Sequence, residues 1–227
     1  MTDNHQPEIA KAAKEFEAYI NWLEDAKWGT SSIDLYIAGM IARSTETMES
    51  MFHNAAGAPD NTLAILFRNL FETVIRIRYL AQDPEKRVHE FHLDDVRGRL
   101  GIMGENDNAD DGAERIAERT KLKTMRDTHK EKVKELFQVE KPPKLSVIRM
   151  CDLIGESDEY VIYRLFSQYE HSMGMGIAGS VLDKDTNKVV YGQQMDKGQT
   201  QVMWQYVQSQ MARIQQAVEM LNSHRPK

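Results

Sequence analysis

Cysteine is almost absent: the chain of 227 residues holds one, Cys151. A lone thiol cannot close an intramolecular disulfide, so the fold relies on its core, and a chain of this length can build one without staples. A bridge-free chain fits a reducing cytoplasm. No apolar run approaches the length of a membrane span, which removes a membrane as an expected partner. The stretch Met1–Pro7 has neither a basic n-region nor an apolar h-region, so no secretory signal is expected. An excess of positive charge is missing too. The net charge of -6 argues against broad electrostatic attachment to duplex nucleic acid, though not against a local basic pocket for single-stranded RNA.

Proline and glycine are few, 6 and 13, and they cluster. The intervals between clusters carry helical periodicity. Phe16, Tyr19, Ile20 and Leu23 mark a first helix from about Pro7 to Trp28. Ser31 or Ser32 can cap a second through Ile37, Ile41, Met48 and Phe52. A third, Thr62 to Gln82, is the most apolar. Its main stripe is Leu63, Phe67, Leu70, Val74 and Ile77, with Ile65, Ile75 and Tyr79 on the back. A helix apolar on both sides belongs in the middle of a bundle. Asp83-Pro84-Glu85 reads as cap, first-turn proline and first-turn acid of a fourth helix.

Residues 98–112, with Gly98, Gly101, Gly104 and several Asn and Asp, read as a flexible acidic loop. A charged peripheral helix over about 113–138 follows, stopped by Pro142-Pro143. A short helix near Ser146–Ile154 precedes the segment with Arg164 and His171. Val181-Leu182 and Val189-Val190-Tyr191 suggest a small β-hairpin or extended excursion near 178–192. A last helix spans about Gln199–Asn222, where Trp204 and Tyr206 are candidates for a dimer surface. Together these predict one all-α domain over 1–227, a bundle of about six to eight helices.

The chemistry concentrates in Tyr163-Arg164-Leu-Phe-Ser167-Gln-Tyr-Glu-His171. Arg164 and His171 are seven residues apart, about 20° around a helix axis. A guanidinium binds phosphate well, and an imidazole carries protons near neutral pH. A metal-independent ribonuclease needs both: a proton acceptor for the 2′-hydroxyl and a cation where charge builds on the phosphate. Tyr163 and Ser167, on nearby turns, are candidates to hold the phosphate or fix the imidazole. The same residues also suit a plain structural role, because a histidine near a helix C-terminus is favoured by the dipole and an arginine pairs with acids.

The segment resembles the R-x(4–6)-H motif of HEPN-type helical domains, here with six intervening residues. Leu165 follows the arginine, where that family often has Asn, Asp or His. The resemblance implies an all-α, usually dimeric domain, often an RNase of toxin–antitoxin, abortive-infection or CRISPR-linked systems. It makes Arg164 and His171 the catalytic pair. RNA and a protein antitoxin are the partners it implies. Arg68-Asn69-Leu-Phe-Glu72 with Tyr79-Leu80-x-x-Asp83-Pro84, and the Tyr163/Ser167/His171 spacing downstream, is also similar to bacterial helical proteins seen near defence genes.

Arg68 and Glu72, four apart, can pair along their helix, and Arg76 continues the line. On so apolar a helix they are expected either as a solvated stripe or in a polar pocket, where Glu72 orients His171 and Arg68 adds a second charge for phosphate. His89 and His92, with Glu85, Asp94 and Asp95 nearby, are spaced to offer two ligands to a metal. There is no H-E-x-x-H, no cysteine-rich set and no paired E-x-x-H, so neither metal nor cofactor is expected. Two functions stand: an RNase-like effector in phage defence or a toxin system, or a non-catalytic helical module that binds a protein or a ligand.

Overall fold

The structure is a computed structural model of the chain and describes residues 6–55, 60–104, 106, 111–170, 181–183, 188–190 and 197–224. Among them are eight α-helices: α1 (Gln6–Asp25), α2 (Ser32–Asn54), α3 (Asp60–Gln82), α4 (Pro84–Met103), α5 (Ala113–Phe137), α6 (Val147–Leu153), α7 (Glu159–Glu170) and α8 (Lys197–His224). Val181–Asp183 pairs antiparallel with Lys188–Val190, in the register Val181 to Val190. The protein is an all-α bundle. None of these helices is long and apolar enough to cross a membrane.

Local chemistry sets the helix ends. Ser31 caps α2 with a full capping box: its hydroxyl accepts from the Asp34 N–H at 3.1 Å, and the Asp34 carboxylate accepts from the Ser31 N–H at 3.2 Å. Those bonds satisfy donors that the helix itself leaves orphaned. Pro84 opens α4 where its missing N–H costs nothing. Ser146 caps α6.

The bundle is built on α3, which packs against α2, α4, α6, α7 and α8, while α1 packs on α8. Phe67, Leu70, Phe71, Val74, Ile75 and Ile77 are fully buried in it. Each such side chain contributes roughly 1.5–3 kcal/mol by leaving water. A helix with neighbours on every side needs apolar residues all round, and that composition made α3 conspicuous in the sequence. Trp204 is no surface residue: it is 1% exposed and stacks on Phe52, with ring centroids 5.1 Å apart. Its indole closes the core between α2 and α8. Tyr206 sets its ring edge against Phe67 at 6.2 Å.

An arm departs from this bundle. α5 docks along α4, and Val96, Leu100 and Leu122 form a second small core, joined by Met103 and Met125. Helix α4 therefore continues through Gly98 and Gly101 to Met103, into the stretch expected to be a loop. Two glycines weaken a helix by roughly 1 kcal/mol each, and the joint burial of Val96 and Leu100 against Leu122 offsets that cost. At the tip, fully buried Arg119 pairs with Asp111 at 2.6 Å. Arg115 pairs with the same carboxylate at 3.2 Å and donates to the Met103 carbonyl at 3.1 Å. These arginines thus satisfy the C-terminal end of α4, where cations are favoured.

Candidate functional site

Helices α3 and α7 cross with their polar residues facing each other. Arg68 Nε donates to the Tyr163 hydroxyl at 3.1 Å, and that hydroxyl donates to Glu72 Oε1 at 2.7 Å. Arg68 Nη2 lies 3.7 Å from the same carboxylate oxygen, and the guanidinium sits 5.4 Å from the centre of the Tyr163 ring. Phe71 and Tyr160 wall the ring, at 5.6 and 5.5 Å. Burial, then the bond to Glu72, raises the Tyr163 pKa above its ordinary value. The phenol therefore stays protonated through neutral pH and keeps its role as donor to Glu72.

Arg68 and Glu72 do pair along α3, and through Tyr163 of α7 the pair joins a partly buried polar cluster between the two helices. Ser167 lies one turn on, and its hydroxyl donates to the Tyr163 carbonyl at 2.7 Å, leaving its oxygen lone pairs to accept. Arg164 is exposed on α7. One residue advances a helix by about 100°, so Tyr163 faces inward to the cluster while Arg164 turns to the outer side. His171 lies outside the described residues.

Arg76 does not continue the line. It lies on another side of α3, with its guanidinium 5.9 Å from the Phe91 ring. There it lines a concavity of about 310 Å³ with Tyr36, Phe91, Asp94, Asp95 and Ile102, between α2, α3 and α4. Tyr36 has a raised pKa through burial there, eased by the charge of Arg76 and reinforced by Asp95 and Asp94.

Two polar clusters went unseen in the sequence. Glu90, 5% exposed, accepts from the Tyr79 hydroxyl and from Arg149 Nη1, the latter at 3.0 Å. Arg87 covers the Tyr79 ring at 4.1 Å and donates to the Tyr79 carbonyl at 2.6 Å. Burial first, and then Glu90, hold the Tyr79 pKa well above its ordinary value. At the junction of α3, α6, α7 and α8, Arg78 pairs with Glu156 and Arg213 with Glu159. Nearby Cys151 is fully buried, and burial, then Glu156 and Asp152, push its thiol up to about 11, which makes it a poor nucleophile. Neither cluster had a local signal: Glu90 lies about 200° around the helix from Val88, where a polar residue is expected, and its partners come from other helices.

His89 and His92 do come together, and His129 of α5 joins them, its Nδ1 3.1 Å from His89 Nδ1. Among the described residues no three His, Cys, Asp or Glu side chains converge as a metal-binding set.

The protein is therefore an all-helical bundle with a solvent-facing arginine beside a clamped Arg–Tyr–Glu cluster. By sequence it belongs to a family of unknown function (DUF5677), whose model matches residues 34–189. That match runs from α2 to the second strand and includes the arm, the Arg68–Tyr163–Glu72 cluster and Arg164. No curated protein and no solved structure matches the chain.

Proposed function

We propose that this chain is an RNase-like effector of the HEPN type, active as a homodimer on RNA in phage defence or a toxin system, with a protein antitoxin as its control. Arg164 and His171 are the catalytic pair, and neither step asked of them requires a metal. His171 takes the proton of the ribose 2′-hydroxyl as that oxygen attacks phosphorus. The new P–O2′ bond replaces the P–O5′ bond, a proton reaches the departing 5′-oxygen, and a cyclic phosphate end remains. Arg164 meets the charge that builds on the phosphate.

The single observation supporting this reading is the clamp at Tyr163. Its phenol is tied at once to Arg68 and Glu72, which fixes the rotation of α7 and so the direction of the exposed Arg164 beside it. A cation fixed on an open face can meet a long polyanion without a prior rearrangement. Arg68, Glu72, Tyr163 and Ser167 are positioning residues in this scheme. The test is incubation with total RNA in EDTA, with wild type beside His171→Ala and Arg164→Ala. Cleavage by wild type, lost in both variants while their helical content holds, is the expected result. An inert wild-type protein would overturn the proposal.

The 310 Å³ concavity favours a second reading, a non-catalytic module that binds a ligand or a protein. Paired cations and carboxylates around Tyr36 and Phe91 suit a small molecule with a flat apolar part and groups of both charges.

A further inference from the structure

The arm contains a layer that neither reading of function uses. In the seam between α4 and α5, apolar contacts at Val96, Leu100 and Leu122 give way to three imidazoles, and Val133, one turn beyond His129, is buried again. His89 Nδ1 and His129 Nδ1 stand 3.1 Å apart. The His92 and His129 rings stack with centroids 4.9 Å apart, and Tyr36 of α2 meets His92 at 6.0 Å.

Two imidazole nitrogens at that separation share one proton. One carries hydrogen and donates; the other offers its lone pair. A protonated imidazole has no lone pair left, so charging both rings places two donors face to face and adds repulsion between like charges. The groups around the layer offer little relief. Lys132 of α5 faces His89 with the same sign, and Glu85 of α4 is the acid that opposes it. On the α2 side Tyr36 faces Arg76, Asp94 and Asp95. Burial is the largest effect on both His89 and His129 and pushes each below the ordinary 6.5, and the neighbouring imidazoles push the same way.

We propose that this imidazole layer is an acid-operated catch: at pH below the ordinary imidazole range, protonation of His89 and His129 undocks the C-terminal half of α5 from α4 while the bundle stays folded. The direction follows from linkage. An undocked ring titrates at its ordinary value and a docked ring lower, so the undocked arm binds more protons in the acid range. Docking is fully favourable above the ordinary imidazole pKa and is lost progressively as pH falls through the docked values. The bundle has no comparable layer among its described residues, so the response stays in the arm. The catch is independent of any activity at Arg164.

Amide hydrogen exchange on the full chain, corrected for intrinsic rates, tests this at pH 7.5 and pH 5.0. In the wild type, amides over 123–137 should lose protection roughly tenfold or more at the lower pH, while those of α3 hold. His129→Gln keeps a hydrogen-bonding side chain that does not titrate, and it should hold the arm at pH 5.0 as at pH 7.5. Equal loss in wild type and variant, or no loss in the wild type, would overturn the proposal. Should His129→Gln fail to fold, His89→Gln serves, together with an NMR titration of the wild-type imidazoles. Ordinary, independent titration of His89 and His129 would equally remove the catch.

Discussion

Around α3 the packed neighbours meet it mainly through aromatic and aliphatic side chains, as where Phe67 meets Phe166 at 4.5 Å, with polar ties such as Arg78–Glu156 confined to the margins. Along the arm, α5 meets α4 through a short apolar patch, an imidazole layer and a buried ion pair, Arg119 with Asp111. The first kind of contact tolerates pH and salt and resists local opening. The second depends on protonation states and on partners that cannot be removed singly. One chain thus carries a bundle of high local stability and an arm able to open without it.

Truncation inside the bundle should give the largest effect. Phe67→Ala removes a fully buried ring from the centre of α3 and should cost about 4 kcal/mol. In a chain of this size that is a fall in Tm of roughly 10 °C, seen by every probe at once. A loss confined to the arm's amides would break the contrast.

The arm's counterpart is Asp111→Ala. It takes one carboxylate from Arg119, whose side chain is 0% exposed, and breaking a buried ion pair from one side costs about 3 kcal/mol. The loss should fall on exchange protection of α4 and α5 near the tip, with the main thermal transition nearly unmoved. A matching drop in the main transition would mean that arm and bundle unfold as one unit.

The same contrast governed what could be read from the sequence. In the bundle, packing is dense and the apolar period is complete, so α3 was legible as the central helix, and Arg68 with Glu72 stood out as polar exceptions. Ser31 and Pro84 marked their helix ends because capping and proline effects are local, whereas α5 stops at Phe137 on a left-handed Gln138, five residues before Pro142. In the arm the period is broken by charged and polar residues. Gly98 and Gly101 mask the continuation of α4 to Leu100 and Met103, and nothing local ties His129 to His89 across 40 residues. Long-range polar pairs such as Glu90 with Arg149 were equally hidden, because helix spacing reports neighbours on one helix and not across two. Trp204 was misjudged because aromatic residues serve cores and interfaces alike.

The smallest expected effect on stability is the sharpest test of the site. Tyr163→Phe keeps the ring between Phe71 and Tyr160 but deletes the hydroxyl that joins Arg68 to Glu72. Those two can still pair with each other, so the cost should be about 1 kcal/mol. A purely structural clamp would show that loss and nothing more. A clamp that aims Arg164 would show in addition a fall in kcat for RNA cleavage at nearly constant KM, because the fold and the open face survive while the angle of α7 slackens. Glu72→Gln, which keeps an acceptor for the phenol but removes the charge beside Arg68, should retain more of that rate than Tyr163→Phe. The reverse order would mean that the carboxylate acts on the substrate or the imidazole directly rather than through the tyrosine.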